Sequence, residues 1–282
     1  MMTSATTLEH LGVLLVSGAD ARSFLQGQLT ADVNLLTPER LLLAACNSPQ
    51  GRVQCVLWLF ERPEGIAMLV SKALLENAAA RLRRYILRAK VAVELERLHV
   101  GVLAAGDHEP VEASHRREGD ASILNFPWCR HALIVAPSAP TKDDPDRELS
   151  WRSEYLRAGL PQIYPETREQ FVAQMLNLDL LGGISFTKGC YTGQEIIARA
   201  HYRGVIKRRM FRFAASCMPP APGTRIVTGD QHAGDVVDAV ATATGCELLA
   251  VISLSQRREA LFLDTPDRPA LTMLDLPYEV GA

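Results

Sequence analysis

Lys188-Gly189-Cys190-Tyr191-Thr192-Gly193-Gln194-Glu195 packs a cation, a thiol, a phenol, an amide, a carboxylate and two glycines into eight residues. Folding alone does not call for such a mixture. An apolar segment, Leu178 to Phe186, leads into it, and Ile196, Ile197 and Ala198 lead out. The apolar continuation predicts a helix from near Thr192 to about Ala200, so the polar groups gather at a helix N-terminus, where glycines let the backbone turn sharply or approach a ligand. Cys190 stands near that N-terminus and two residues from Lys188, two features that favour a nucleophilic thiolate; the alternative is a small buried core residue. Lys188 and Glu195 can pair with each other or bind a ligand. Tyr191 offers a ring for stacking, and Gln194 can both donate to and accept from a heterocyclic amide edge.

Outward from the octapeptide, the chain reads as helices and antiparallel strands. A strand at Val13 to Val16 precedes a capping-box-like Ser17 to Asp20 and a helix over 21–33. Strands at 41–45, 53–60 and 66–70 are joined by turns at 47–51 and 61–65. Ser71 is placed to cap a helix to about Leu87, with Leu74, Leu75, Ala78, Leu82, Tyr85 and Ile86 at helical spacing. Its arginines, Arg81, Arg83, Arg84 and Arg88, read as a solvated face or a docking face for an anionic partner. A strand over 91–103, a polar loop over 106–120 and a strand near 131–135 follow. Pro137 to Glu148 has linker composition, and a short helix spans 151–158. After Gly204 five short strand-like runs alternate with turn signals, which predicts a small all-β unit and a boundary near that residue.

The chain has 282 residues, a formal net charge of −2 and 48% apolar residues, enough for more than one packed unit. That balance argues against stable nucleic-acid binding, although Arg199, His201, Arg203, Lys207, Arg208 and Arg209 form a local basic cluster. No membrane span or secretory signal is legible, and the six scattered cysteines contain no Cys-x-x-Cys pair. The expectation is a cytoplasmic protein with reduced thiols and no structural metal. Motifs for serine hydrolases, zinc proteases and nucleotide binding are missing. The residues themselves point to a planar, anionic small ligand held at a helix N-terminus beside a thiol.

The octapeptide resembles the signature of the YgfZ-type folate-binding proteins, relatives of the glycine-cleavage aminomethyltransferase, or T-protein. Phe24 to Val33, Asn47 to Arg52, Arg157 to Pro161, Asn177 to Phe186 and Ala198 to Gly204 resemble the same group in the same order, so nearly the whole chain is covered. The resemblance implies an α+β fold of three lobes in a ring. Two interleaved N-terminal lobes would occupy residues 1–204 and a C-terminal β-barrel residues 205–282. It implies tetrahydrofolate, or a one-carbon derivative, in a central cavity near Tyr191, Gly193, Gln194, Glu195, Asn47, Gln28, Arg199 and Arg203. It also implies partners among iron-sulfur enzymes or their assembly factors, including enzymes that modify tRNA, with Cys190 as the reactive thiol and Lys188 biasing it. An alignment by eye places the transferase's acidic residue at Ala78, its glutamate at Arg157 and its arginine at Gln194. An alanine cannot accept a proton, and general acid-base help is worth roughly 100- to 10,000-fold. Ordinary aminomethyl transfer is therefore disfavoured. The alternatives are a folate-dependent aminomethyl- or methyltransferase using Glu195 or Asp32, and a non-catalytic docking scaffold.

Overall fold

Runs of alternating and continuous apolar residues give sixteen strands among the described residues, which are 5–107, 110–139, 144–204 and 206–281 of a computed structural model. In chain order, β1 (Ala5–Thr7) and β2 (Leu11–Ser17) precede α1 (Ala21–Gln26). Then come β3 (Leu42–Asn47), β4 (Val53–Arg62), β5 (Gly65–Ser71), α2 (Leu75–Arg84) and β6 (Ala92–Glu96). The next group is β7 (His99–Ala105), β8 (Ser114–Glu118), β9 (Ala121–Asn125) and β10 (His131–Ala136), followed by α3 (Pro145–Arg157) and α4 (Gln194–Tyr202). The last is β11 (Arg208–Ala215), β12 (Arg225–Thr228), β13 (Gln231–Thr242), β14 (Gly245–Ser253), β15 (Phe262–Leu263) and β16 (Thr272–Leu274).

These strands form three sheets, ordered β1-β7-β10-β9-β8, β3-β4-β5-β2-β6 and β15-β12-β13-β14-β11-β16. The chain lays β1 into the first sheet, builds the whole second sheet, and returns to finish the first. Two lobes are thereby interleaved, and the third, C-terminal sheet curls as a half-barrel. One continuous core joins the first two lobes; its aromatic centre is Trp58, Phe126, Trp151 and Tyr155. The C-terminal sheet has a second core around Phe211, Phe213 and Leu248. Among the described residues no helix is long and apolar enough to cross a membrane.

Several elements differ from their sequence reading, each for a tertiary reason. The helix expected over 21–33 stops at Gln26, because Thr30 is claimed by β3 and by the loop at Gly183. Its hydroxyl accepts from the Ala45 N–H at 2.8 Å and donates to the Gly183 carbonyl at 2.6 Å. Asp20 makes no side-chain cap for α1; it accepts from the Lys90 N–H at 2.7 Å instead. Ser71 ends β5 and makes no cap bond, a 3₁₀ turn fills 72–74, and α2 ends at Arg84, leaving Leu87 exposed. The strand expected over 91–103 is two strands, β6 pairing with β2 and β7 with β1 and β10. The loop expected over 106–120 contains β8, held to β9.

The linker expected over 137–148 lies partly outside the described residues, at 140–143, and its last four residues are the first turn of α3. Asp144 is the N-cap, accepting from the Arg147 N–H, and Pro145 stands at a position whose missing N–H is harmless. All five strand runs expected after Gly204 are present, and β16 adds a sixth strand beside β11.

Candidate functional site

The octapeptide is pinned at several points to the loop after α1 and to the turn between β3 and β4. The Thr192 N–H donates to the Gly27 carbonyl at 3.2 Å, and the Ser185 N–H to that of Thr30 at 2.9 Å. Lys188 Nζ donates to the carbonyls of Leu29 and Ala31, each at 2.8 Å, and sits 4.9 Å from the centroid of the Tyr191 ring. Burial pushes the Lys188 ammonium down to about 8, opposed by the nearby Asp32 carboxylate. Tyr191 is buried, and that burial pushes its phenol up to about 12. One face of this ring is thus taken by Lys188. Glu195 is exposed and makes no ion pair with Lys188.

Gln194 closes its own turn: its Oε1 accepts from the Tyr191 N–H at 3.0 Å. Gly193, with φ of 79°, is the N-cap of α4, which begins at Gln194, two residues later than expected. A Cβ there would lie 2.5 Å from the Ser48 carbonyl oxygen and 2.9 Å from the Gly51 Cα, so only glycine allows this approach.

Beneath this contact lies a polar junction. Gln28 Oε1 accepts from Arg81 NH1 at 3.1 Å and from the Thr192 hydroxyl at 3.4 Å. Arg81 also donates to the Asn47 carbonyl from Nε at 3.1 Å and from NH2 at 2.8 Å, and its guanidinium lies 5.0 Å from the Tyr85 ring centroid. Asn47 follows a β-bulge at the end of β3, is fully buried at 0% exposure, and leaves both atoms of its side-chain amide without a partner.

Gln28, Asn47, Lys188, Tyr191, Gly193 and Gln194 are therefore brought together, with Cys190 exposed on the same turn. Arg199 and Arg203 are not; both are exposed on or just beyond α4. The basic cluster disperses as well: Arg209 is buried against Asp179 through two bonds of 2.6 and 2.8 Å, and Arg208 faces Asp235 at 3.6 Å.

Arg81 is the residue that the solvated-face reading misses. It lies on the buried stripe of α2, three residues after Ala78 and four before Tyr85, and that register was the available signal. The other departures from the transferase pattern are also occupied structurally. Arg157 makes a bidentate pair with Glu247 on β14, at 2.8 to 3.2 Å, and Ala78 is buried in α2.

Two hollows meet at Trp58. On one side, Trp58, Phe126, Trp151, Tyr155 and Gln162 enclose a cavity of about 20 Å³, in which Trp151 Nε1 and Gln162 Nε2 are buried donors without partners. On the other, a cleft of about 210 Å³ runs between Arg40 to Leu43, Trp128 and Leu180 to Gly182. Trp58 Nε1 donates to the Tyr155 hydroxyl at 2.8 Å within the wall between them. No octapeptide residue lines either hollow. Unpaired donors and aromatic walls suit a planar heterocycle carrying acceptors. The inner cavity as folded has room for about one water, so a pterin-sized group fits it only when an aromatic wall moves.

The fold matches that of the glycine cleavage system aminomethyltransferase T from Bartonella henselae, with a TM-score of 0.74 over 98% of this chain and 86% of that one at 13% identity. This is the three-lobed α+β fold with interleaved N-terminal lobes and a curled C-terminal sheet. No family model matches the chain. The tRNA-modifying protein YgfZ of Hamiltonella defensa is 33% identical over 77% of this chain and 71% of its own length. The chain belongs to the YgfZ family. A YgfZ of Yersinia enterocolitica is 29% identical across 97% of this chain and 92% of its own, so similarity to YgfZ proteins extends through all three lobes.

Proposed function

We propose that this YgfZ-family chain is a folate-binding accessory protein that acts in tRNA modification by supporting iron-sulfur enzymes, with Cys190 as its working thiol. The observation that carries this reading is the contrast at Cys190. Its neighbours Lys188, Tyr191, Gly193 and Gln194 are committed to internal contacts, while its own side chain is exposed. Cys46, Cys55, Cys129 and Cys246 are buried and Cys217 is half-buried. A rigid support under one accessible thiol is the arrangement a thiol chemistry needs. The names of the curated relatives support tRNA modification, and the transferase fold together with the unpaired donors supports folate.

In this reading the Trp58 wall swings aside, so that a heterocycle entering from the cleft beside Trp128 reaches the Trp151 and Gln162 donors while Arg40 at the cleft faces its carboxylates. Folate supplies a one-carbon unit when bound. The protein's residues exclude water and orient the ring, while Cys190 reacts at the surface. Lys188 is a positioning residue, since its ammonium is spent on the Leu29 and Ala31 carbonyls. Two measurements test the reading separately. In cells lacking the chromosomal copy, Cys190→Ala should abolish restoration of modified tRNA nucleosides at unchanged protein level and Tm; full restoration removes the thiol role. Calorimetric titration with tetrahydrofolate and with its methylene form should saturate, and no saturable heat removes the folate role.

A further inference from the structure

A second thiol chemistry lies far along the chain from the signature, in the C-terminal half-barrel. Cys217 and Cys246 stand with their Sγ atoms 3.9 Å apart. The register brings them there: Ala215, the last residue of β11, pairs with Cys246 near the start of β14, and Cys217 follows two residues on. Gly245 keeps the strands this close, because a Cβ at that position would lie 2.1 Å from the Ala215 carbonyl oxygen. Both side chains belong to the second core, Cys246 buried within it and Cys217 half-buried against it. A disulfide needs sulfurs at about 2.05 Å, and side-chain rotation at the half-buried, loop-side Cys217 supplies the approach.

We infer that Cys217 and Cys246 form a reversible intramolecular disulfide by exchange with a small-molecule disulfide of the glutathione type. The Cys217 thiolate attacks one sulfur of the small disulfide and expels one small thiolate, giving a mixed disulfide at Cys217. Cys246 then loses its proton to solvent and attacks the Cys217 sulfur, expelling the second small thiolate. The protein loses two protons and two electrons, and the small disulfide is reduced to two thiols. Access assigns the order: the half-buried Cys217 meets the reagent and the buried Cys246 resolves.

The asymmetry sets the kinetics. Burial, the largest cause that raises the Cys246 thiol, persists when Cys217 is capped as a mixed disulfide, so little thiolate is present to resolve. The same group is a poor leaving group when a reductant attacks Cys217. Bridge formation and bridge reduction are both slow, and the device records sustained oxidation rather than following brief changes.

The test uses full-length protein carrying Cys190→Ser, which removes the exposed competitor and leaves five thiols. Reduced protein is incubated with oxidised glutathione, then unfolded and alkylated. The expected result is a fall from five alkylated thiols to three, with the tryptic peptides spanning residues 213–225 and 226–257 linked. Dithiothreitol should restore five, more slowly than it reverses glutathione adducts on the Cys246→Ala variant. Recovery of both peptides in alkylated form, a persistent glutathione adduct at Cys217 with Cys246 free, or a link found only between Cys46 and Cys55 overturns the proposal. Adding Cys217→Ser should abolish the link; a loss of two thiols that survives this change overturns it as well.

Discussion

Replacing Arg81 with methionine removes three donated hydrogen bonds at once, two at the Asn47 carbonyl and one at Gln28. Bonds from a buried charged donor each contribute about 1.5–3 kcal/mol, but methionine refills part of the volume. The expected loss is about 2–4 kcal/mol in urea unfolding, with Cys190 reactivity altered as the turn loosens. Asn47 should behave in the opposite way. Its amide has no partner in the folded protein, so Asn47→Ala should change stability by less than about 1.5 kcal/mol and reduce function more than stability. A fall in stability and function together would make the amide purely structural. Lys188 adds a pH signature. Its folded pKa, about 8, lies below the ordinary 10.5, so the folded state disfavours the charged form and stability rises with pH between those values. Tyr191, raised from its ordinary 10 to about 12, and Cys246, raised from 9 to about 12, work the other way, so the Lys188 contribution is read as a difference from a variant that lacks only that group. Over the Lys188 window the protein should gain about 1–2 kcal/mol relative to Lys188→Met, and parallel stability curves would refute the assignment. The density of polar residues in the octapeptide was legible in the sequence. That Lys188 points to Leu29 and Ala31 was not, because those carbonyls are about 160 residues away in sequence and are freed only when α1 stops early.

At the scale of elements, α4 and the 47–51 turn form one device. Gly51 and Gly193 both have positive φ and face each other, and a Cβ on Gly51 would lie 2.7 Å from the Ile196 Cβ. Gly193→Ala forces both a strained backbone and a clash with Ser48, so it should destabilise by about 2 kcal/mol or more and abolish function with Cys190 still present. Wild-type Tm and activity in that variant would show that the close approach is dispensable. Hairpins and α4 could be read locally because turn chemistry and apolar spacing specify them. The split of residues 91–103 into β6 and β7 could not, since both halves are β-prone and only their partners, β2 and β1, differ. The first turn of α3 was hidden by a Pro-Asp-Arg-Glu composition that suits a linker and a helix start equally.

At the scale of the whole molecule, the half-barrel is locked to the other lobes by buried polar bonds. Arg209 on β11 meets Asp179 and the Gln174 carbonyl, and Asn177 donates to the Met210 carbonyl at 2.8 Å. Breaking a buried pair by removing one partner costs about 3–5 kcal/mol, so Asp179→Ala should unfold in urea at a much lower midpoint. A separate early transition of the C-terminal sheet would show that this contact joins otherwise independent units. Acid acts elsewhere. His10 lies 3.4 Å from Glu148, yet burial, helped by Arg152, holds its ring down to about 4, so the ring is neutral at neutral pH. Its unfolded value of 6.5 is higher, and stability therefore falls as pH drops from 6.5 toward 4. Burial also lowers His115, so His10→Gln should reduce the slope in that part of the pH profile without removing it, and an unchanged slope would refute the assignment. The interleaving of the first two lobes also imposes an order in time. β1 has its ladder partner in β7, with Thr7 opposite Gly101, so this strand must wait for roughly a hundred further residues, about 5–20 s at ordinary translation rates. Until then its hydrogen-bonding edge is open while the second sheet can already close behind it. β1 therefore leaves the ribosome well before its partner, which makes a nascent chain, rather than the finished protein, the form most exposed to mispairing and to chaperone capture.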